Sequence, residues 1–143
     1  MPPRIEYRDT NPQAIEALLE LNAYSDNCSV DQGLRRLVEV LVSKLNGCTY
    51  CVAVHSRQAL SHGLTERHLD SLDHWRDATI YTPAERALFA WVEHVTKIAD
   101  GAPLHAFDGM KPHFTDAQIV DLTFIVSSMN AWNRMAIAFG RDH

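Results

Sequence analysis

An all-α domain of five or six helices is the fold class that this sequence predicts. Three observations point there. Apolar residues recur at three- and four-residue spacing through most of the chain, the period of one buried helix face. Helix-start signals precede these stretches, including Thr82-Pro83-Ala84-Glu85 and Thr115 with Gln118, each a capping box. No run alternates between apolar and polar residues for long enough to make a strand, and Thr79–Tyr81 is only briefly extended.

The elements follow in chain order. Asn11-Pro12 reads as an N-cap followed by proline at the first helical position, where no N–H is needed. The short helix it opens carries Ile15, Leu18, Leu19 and Asn22. A second helix spans about Asp31 to Asn46, with Leu34, Leu37, Val38, Leu41, Val42 and Leu45 on one face. Gly47 ends it, because glycine takes the left-handed cap without steric penalty. A third helix begins near Cys48 and ends near Gly63, and a fourth covers Thr65 to about Trp75. The helix behind Thr82 carries Leu88, Phe89, Val92, Val95 and Ile98 and closes at Gly101. Residues 102–114 contain Pro103, Gly109 and Pro112 and read as a loop. The last helix, Thr115 to near Gly140, is apolar on more than one face. It is therefore either the central helix or, over Ile119–Phe139, part of an interface between copies. Trp91 and Trp132 read as core or interface residues.

Composition bounds the function. The chain has 143 residues, 46% hydrophobic and 22% charged, which suits one globular domain over residues 1–143 with its own core. A formal net charge of -5 provides no basic footprint, so nucleic acid is not an expected partner. No apolar run approaches the roughly 20 residues that span a bilayer, so no membrane partner is expected. Met1–Thr10 lacks the apolar core of a secretory signal, and the expected location is the cytoplasm.

The chemistry concentrates at Asn46-Gly47-Cys48-Thr49-Tyr50-Cys51, with His55 beyond it. Cys48 and Cys51 are three apart and His55 is four further on, so all three share a helix face. The pair falls in the first turn, where free backbone N–H groups and the helix dipole favour a thiolate. An imidazole one turn away accepts the thiol proton or hydrogen-bonds the anion. Structural zinc is a second reading, but it needs two further ligands, and no second CxxC or HxxxH supplies them. Inert buried thiols are a third. Haem attachment is out, since Val52 rather than histidine follows Cys51. Cys28, before the second helix with no base nearby, reads as a passive thiol.

The stretch Leu34–Gly63, with Leu45-Asn46-Gly47-Cys48, Cys51, His55 and then Gly63-Leu64-Thr65-Glu66, resembles the AhpD-like alkylhydroperoxidase / carboxymuconolactone decarboxylase family. Asn130-Ala131-Trp132-Asn133-Arg134 is similar to small peroxidase-related members. The resemblance implies an AhpD-like helical bundle assembled as a homo-oligomer, trimer or hexamer. It implies a dithiol that reduces hydroperoxides, with Cys51 attacking the peroxide, Cys48 resolving it as a disulfide, and His55 in the proton relay. No metal or bound cofactor is needed, because the chemistry belongs to the sulfurs, and electrons come from an external dithiol or thioredoxin-like donor. Two positions depart from the pattern. Arg36 stands where the family usually places its relay glutamate, and Tyr50 stands where the best-known peroxidases of the family have histidine. Glu39, one helical turn (about 5 Å) nearer the cysteines, is the candidate substitute; the alternatives are a partner for Arg36 or a solvated acid. Two other activities stay open. One is lactone processing of the decarboxylase kind, although that branch generally lacks the CxxC. The other is a non-catalytic module whose CxxC senses redox state or binds metal.

Overall fold

The computed structural model describes residues 2–141; Met1, Asp142 and His143 lie outside the described residues. It is all-helical: α1 (Tyr7–Thr10), α2 (Pro12–Asn27), α3 (Gln32–Asn46), α4 (Thr49–Ser61), α5 (Glu66–Asp70), α6 (Pro83–Thr96), α7 (Leu104–Met110) and α8 (Asp116–Ala138). Short 3-10 turns at Ser71–His74 and Ile98–Asp100 follow α5 and α6. Among the described residues there is no strand, and Thr79–Tyr81 is a bend.

The capping signals act as the sequence requires. Asp31, Thr65, Thr82 and Thr115 each accept a hydrogen bond from a first-turn N–H, and the last three complete capping boxes. Asn11 does not cap with its side chain; Pro12 starts α2 by fixing φ. Several expectations need correction. The first long helix is not short but runs 16 residues, and the four-residue α1 precedes it. The helix expected to reach Trp75 stops at Asp70 and tightens into a 3-10 turn. The segment expected to be a loop contains α7. Pro103 occupies its N-cap, and Ala106 and Met110 are buried, so packing outweighs the helix-breaking composition.

One core unites the helices. Leu37, Val38 and Leu41 of α3, Leu88, Phe89 and Val92 of α6, and Leu122, Ile125, Val126 and Met129 of α8 meet within it. α8 packs against α2, α3, α4 and α6, so it is the central helix. That accounts for most of its apolar residues; Val120, 66% exposed, and Ile137 still face outward.

The turn between α3 and α4 positions the cysteines. Gly47 adopts φ 71, and its N–H donates to Lys44 O (3.1 Å) while Cys48 N–H donates to Ser43 O (2.9 Å). These two bonds form a Schellman motif. Asn46 Nδ2 donates to Asn130 Oδ1 and Asn133 Oδ1 of α8, both at 3.0 Å. Asn133, fully buried, donates in turn to Ser43 Oγ (3.2 Å). The asparagines noted in the sequence thus clamp the turn to the central helix. A methyl group at Gly47 would meet no neighbour within 4 Å. We therefore expect Gly47→Ala to destabilise the protein through backbone conformation alone, by about 1–2 kcal/mol in urea unfolding.

Candidate redox site

Cys48 is the N-cap of α4 rather than a residue of its first turn, and its Sγ accepts from Cys51 N–H (3.3 Å). Both cysteines are buried, 2% and 5% exposed. They are joined as a disulfide, with Cα atoms 5.3 Å apart. The pairing follows from the helix start: residues N-cap and N3 face one another across the first turn. Cys28, at the end of α2, keeps a free thiol that donates to Ser25 O (3.3 Å).

The two cysteines line different cavities. Cys51 lines a cavity of about 220 Å³ together with His55, Tyr50, Gln58 and Trp132. Cys48 lines a separate one of about 150 Å³ with Gly47, Thr49 and Arg141. His55 and Cys51 are thus brought together at one cavity wall, as their spacing on α4 requires.

Behind His55 lies a buried charge network. Glu39 is 3% exposed and so is not a solvated acid. Its Oε1 accepts from Arg36 Nη1 (2.8 Å) and lies 3.7 Å from His55 Nδ1. Its Oε2 lies 3.6 Å from Arg35 Nε. The partnership with Arg36 and the proximity to His55 therefore both hold. Arg35 is 2% exposed and is bonded to Asp26 of α2 and to Gln32.

Gln58 connects the network to the imidazole. Arg36 Nη1 donates to Gln58 Oε1 (3.1 Å). A guanidinium can only donate, so the amide oxygen is the atom that faces it. The same oxygen lies 2.7 Å from His55 Nδ1. Nδ1 must then carry the proton, which leaves the lone pair on Nε2. Burial pushes the His55 pKa below its ordinary 6.5, and Arg36 and Arg35 push the same way. The Glu39 carboxylate and the Gln58 oxygen oppose this without reversing it. His55 is therefore a neutral base at pH 7.

Sequence reasoning did not single out Arg35, Gln58 or Asp26. Gln58 carries a local signal, three residues after His55 on α4; Arg35 lies four before Glu39 on α3. Asp26 joins from another helix and has none. No group of three or more His, Cys, Asp or Glu residues converges on a metal-sized site among the described residues. No helix among them is long and apolar enough to cross a membrane.

Fold and site together define an all-α protein with a vicinal cysteine pair at a helix start and a histidine one turn on. The chain belongs to the carboxymuconolactone decarboxylase family, in its AhpD-like form: the family model matches residues 11–94. An uncharacterized Bacillus subtilis (strain 168) protein, YdfG, is 30% identical over 141 residues, 98% of this chain and 96% of its own. A crystal structure of an Agrobacterium tumefaciens protein of unknown function, described as a candidate antioxidant-defence AhpD, superposes with a TM-score of 0.96. It is 36% identical and covers 99% of this chain and 98% of its own. An AhpD-core, peroxidase-related protein from Ralstonia eutropha JMP134 shares the fold at TM-score 0.84 and 24% identity, over 96% of this chain and 75% of that one.

The lowered His55 pKa has a sign that can be checked. Below pH 6.5 an unfolded chain protonates this residue while the folded protein resists, so stability falls as pH drops through that value. We expect the His55 midpoint, followed by NMR, to lie below 6.5. We expect Glu39→Gln to lower it further, because the carboxylate's attraction for the imidazolium is removed.

Proposed function

We propose that the protein is a thiol peroxidase that reduces organic hydroperoxides through Cys48 and Cys51. The observation that carries this reading is that Cys51, already paired with Cys48, shares a cavity with a histidine whose neutral state is favoured by burial and whose tautomer is set by Gln58. Family membership and the candidate antioxidant-defence relative support it.

In the reduced protein the Cys51 thiol gives its proton to His55 Nε2. The Cys51 thiolate attacks the terminal oxygen of the hydroperoxide. An S–O bond forms and the O–O bond breaks. The alkoxide takes the proton from His55 and leaves as the alcohol, and Cys51 becomes a sulfenic acid. The Cys48 sulfur then displaces the hydroxyl from Cys51, and the disulfide forms as water is released. The two electrons of the dithiol thus reduce ROOH to ROH and water. An external dithiol or thioredoxin-like donor restores both thiols by exchange through a mixed disulfide and becomes oxidised itself. Glu39 acts through His55: its negative charge favours the imidazolium that forms as the thiol ionises. Arg36 and Gln58 orient this pair and touch no reacting atom. The reading includes a cytoplasmic setting and a homo-oligomer, trimer or hexamer, as the family resemblance implies.

A peroxidase assay with several dithiol donors tests it. Cys51→Ser abolishes peroxide consumption. Cys48→Ser stops after one turnover at a sulfenic acid that dimedone labels. His55→Ala lowers turnover by about 10²-fold or more, and Glu39→Gln by less. Wild-type rates retained in Cys51→Ser would refute the reading. In the reduced protein, alkylation near neutral pH reaches Cys51 before Cys28.

A further inference from the structure

The cavity shared by Cys51 and His55 has an unusual charge balance for a protein with a net charge of -5. None of its lining residues is acidic, and Arg8 supplies its permanent charge. Arg8 comes from the short α1. Its guanidinium lies 5.2 Å from the Trp132 ring and 5.9 Å from the Tyr7 ring, which hold it at the cavity wall. The arginines of the charge network, the buried Arg35 and the partly buried Arg36, both have carboxylate partners. Arg8 has none among the described residues, and its buried Nε makes no hydrogen bond.

A second donor stands beside it. Trp132 Nε1 donates to Asn22 Oδ1 (3.0 Å). An indole N–H can only donate, so the amide oxygen faces Trp132 and the Asn22 NH₂ is left as a donor. That NH₂ has no protein acceptor among the described residues. Leu19, Val54 and the Trp132 ring make the rest of this wall apolar. Two groups that can only donate, one of them charged, thus stand on an apolar wall with no acceptor among the described residues.

We infer that the cavity selects hydroperoxides that carry a carboxylate, held by Arg8 and Asn22 while the apolar chain lies on the wall and the peroxide reaches Cys51. The inference rests on the thiol peroxidase reading for the reaction and on Arg8 and Asn22 for the substrate class. A charge-assisted hydrogen bond out of bulk water is the strong kind, and an alcohol or an ester cannot replace it.

Two measurements separate the substrate class from the reaction. Calorimetry compares octanoate with octanol on the oxidised wild type, Arg8→Met and Arg8→Lys. Octanoate binds more tightly than octanol to the wild type; Arg8→Met weakens it by about tenfold or more, and Arg8→Lys restores part. Equal binding of octanoate and octanol by the wild type overturns the inference, as does octanoate binding unmoved by Arg8→Met. Single-turnover oxidation of the reduced wild type then compares hydroperoxyoctanoic acid with its methyl ester, a comparison that needs no variant. The acid reacts about tenfold faster or more. Equal rates overturn the substrate class while the peroxidase reading stands. Octanoate held through Arg8 with neither peroxide oxidising Cys51 overturns the peroxidase reading and the substrate assigned to it, and leaves a carboxylate site of another purpose.

Discussion

Much of this structure depends on a buried carboxylate. Glu39 is almost wholly out of water, where an uncompensated charge is costly. Arg35 and Arg36 compensate it from its own helix. Arg35 is itself buried and reaches Asp26 on α2, and Arg36 reaches Gln58 on α4. α3 is thereby tied to α2 through the Arg35–Asp26 ion pair and to α4 through a hydrogen bond to the neutral Gln58 amide, while the Glu39 charge is balanced by Arg35 and Arg36 within α3. Removing one partner of such a group typically costs about 3–5 kcal/mol. The group also sets the electrostatics of His55, which faces one negative and two positive neighbours and is held neutral by burial.

A second constraint works on the backbone. The left-handed Gly47 lets α3 end and α4 begin within two residues. The Asn46–Asn130–Asn133 cluster then ties that turn to α8. The turn is thus held from both sides of the cysteine pair. α8 also supplies Trp132 and Ala136 to the cavity of Cys51, and Ala136 to that of Cys48. The central helix that completes the core therefore also shapes the surroundings of both sulfurs.

The arrangement divides the chemistry by position. The sulfur at the N-cap accepts a backbone N–H, as a capping oxygen would, while Cys51, three residues on, lines the same cavity as His55. A thiolate at the cap is favoured by the helix start, and a thiolate at the cavity by the neutral base.

The sequence by itself determined the elements whose causes are local. Capping boxes at Thr82 and Thr115, the apolar face of Leu37–Val42, and Gly47 act within one or two helical turns, so they are legible along the chain. The same holds for Cys48, Cys51 and His55, whose spacing places them along one helix. Only the tertiary structure decided the rest. α7 forms because Ala106 and Met110 find a core to enter, although Pro103 and Gly109 argue for a loop. α8 is central because four helices surround it. Glu39 could be read as solvated or buried until α3 met α2 and α4. Arg8 and Asn22 reach Trp132 from more than a hundred residues away in sequence. Burial and long-range pairing depend on which faces meet, and a periodic pattern tells that a face is apolar but not what it will face.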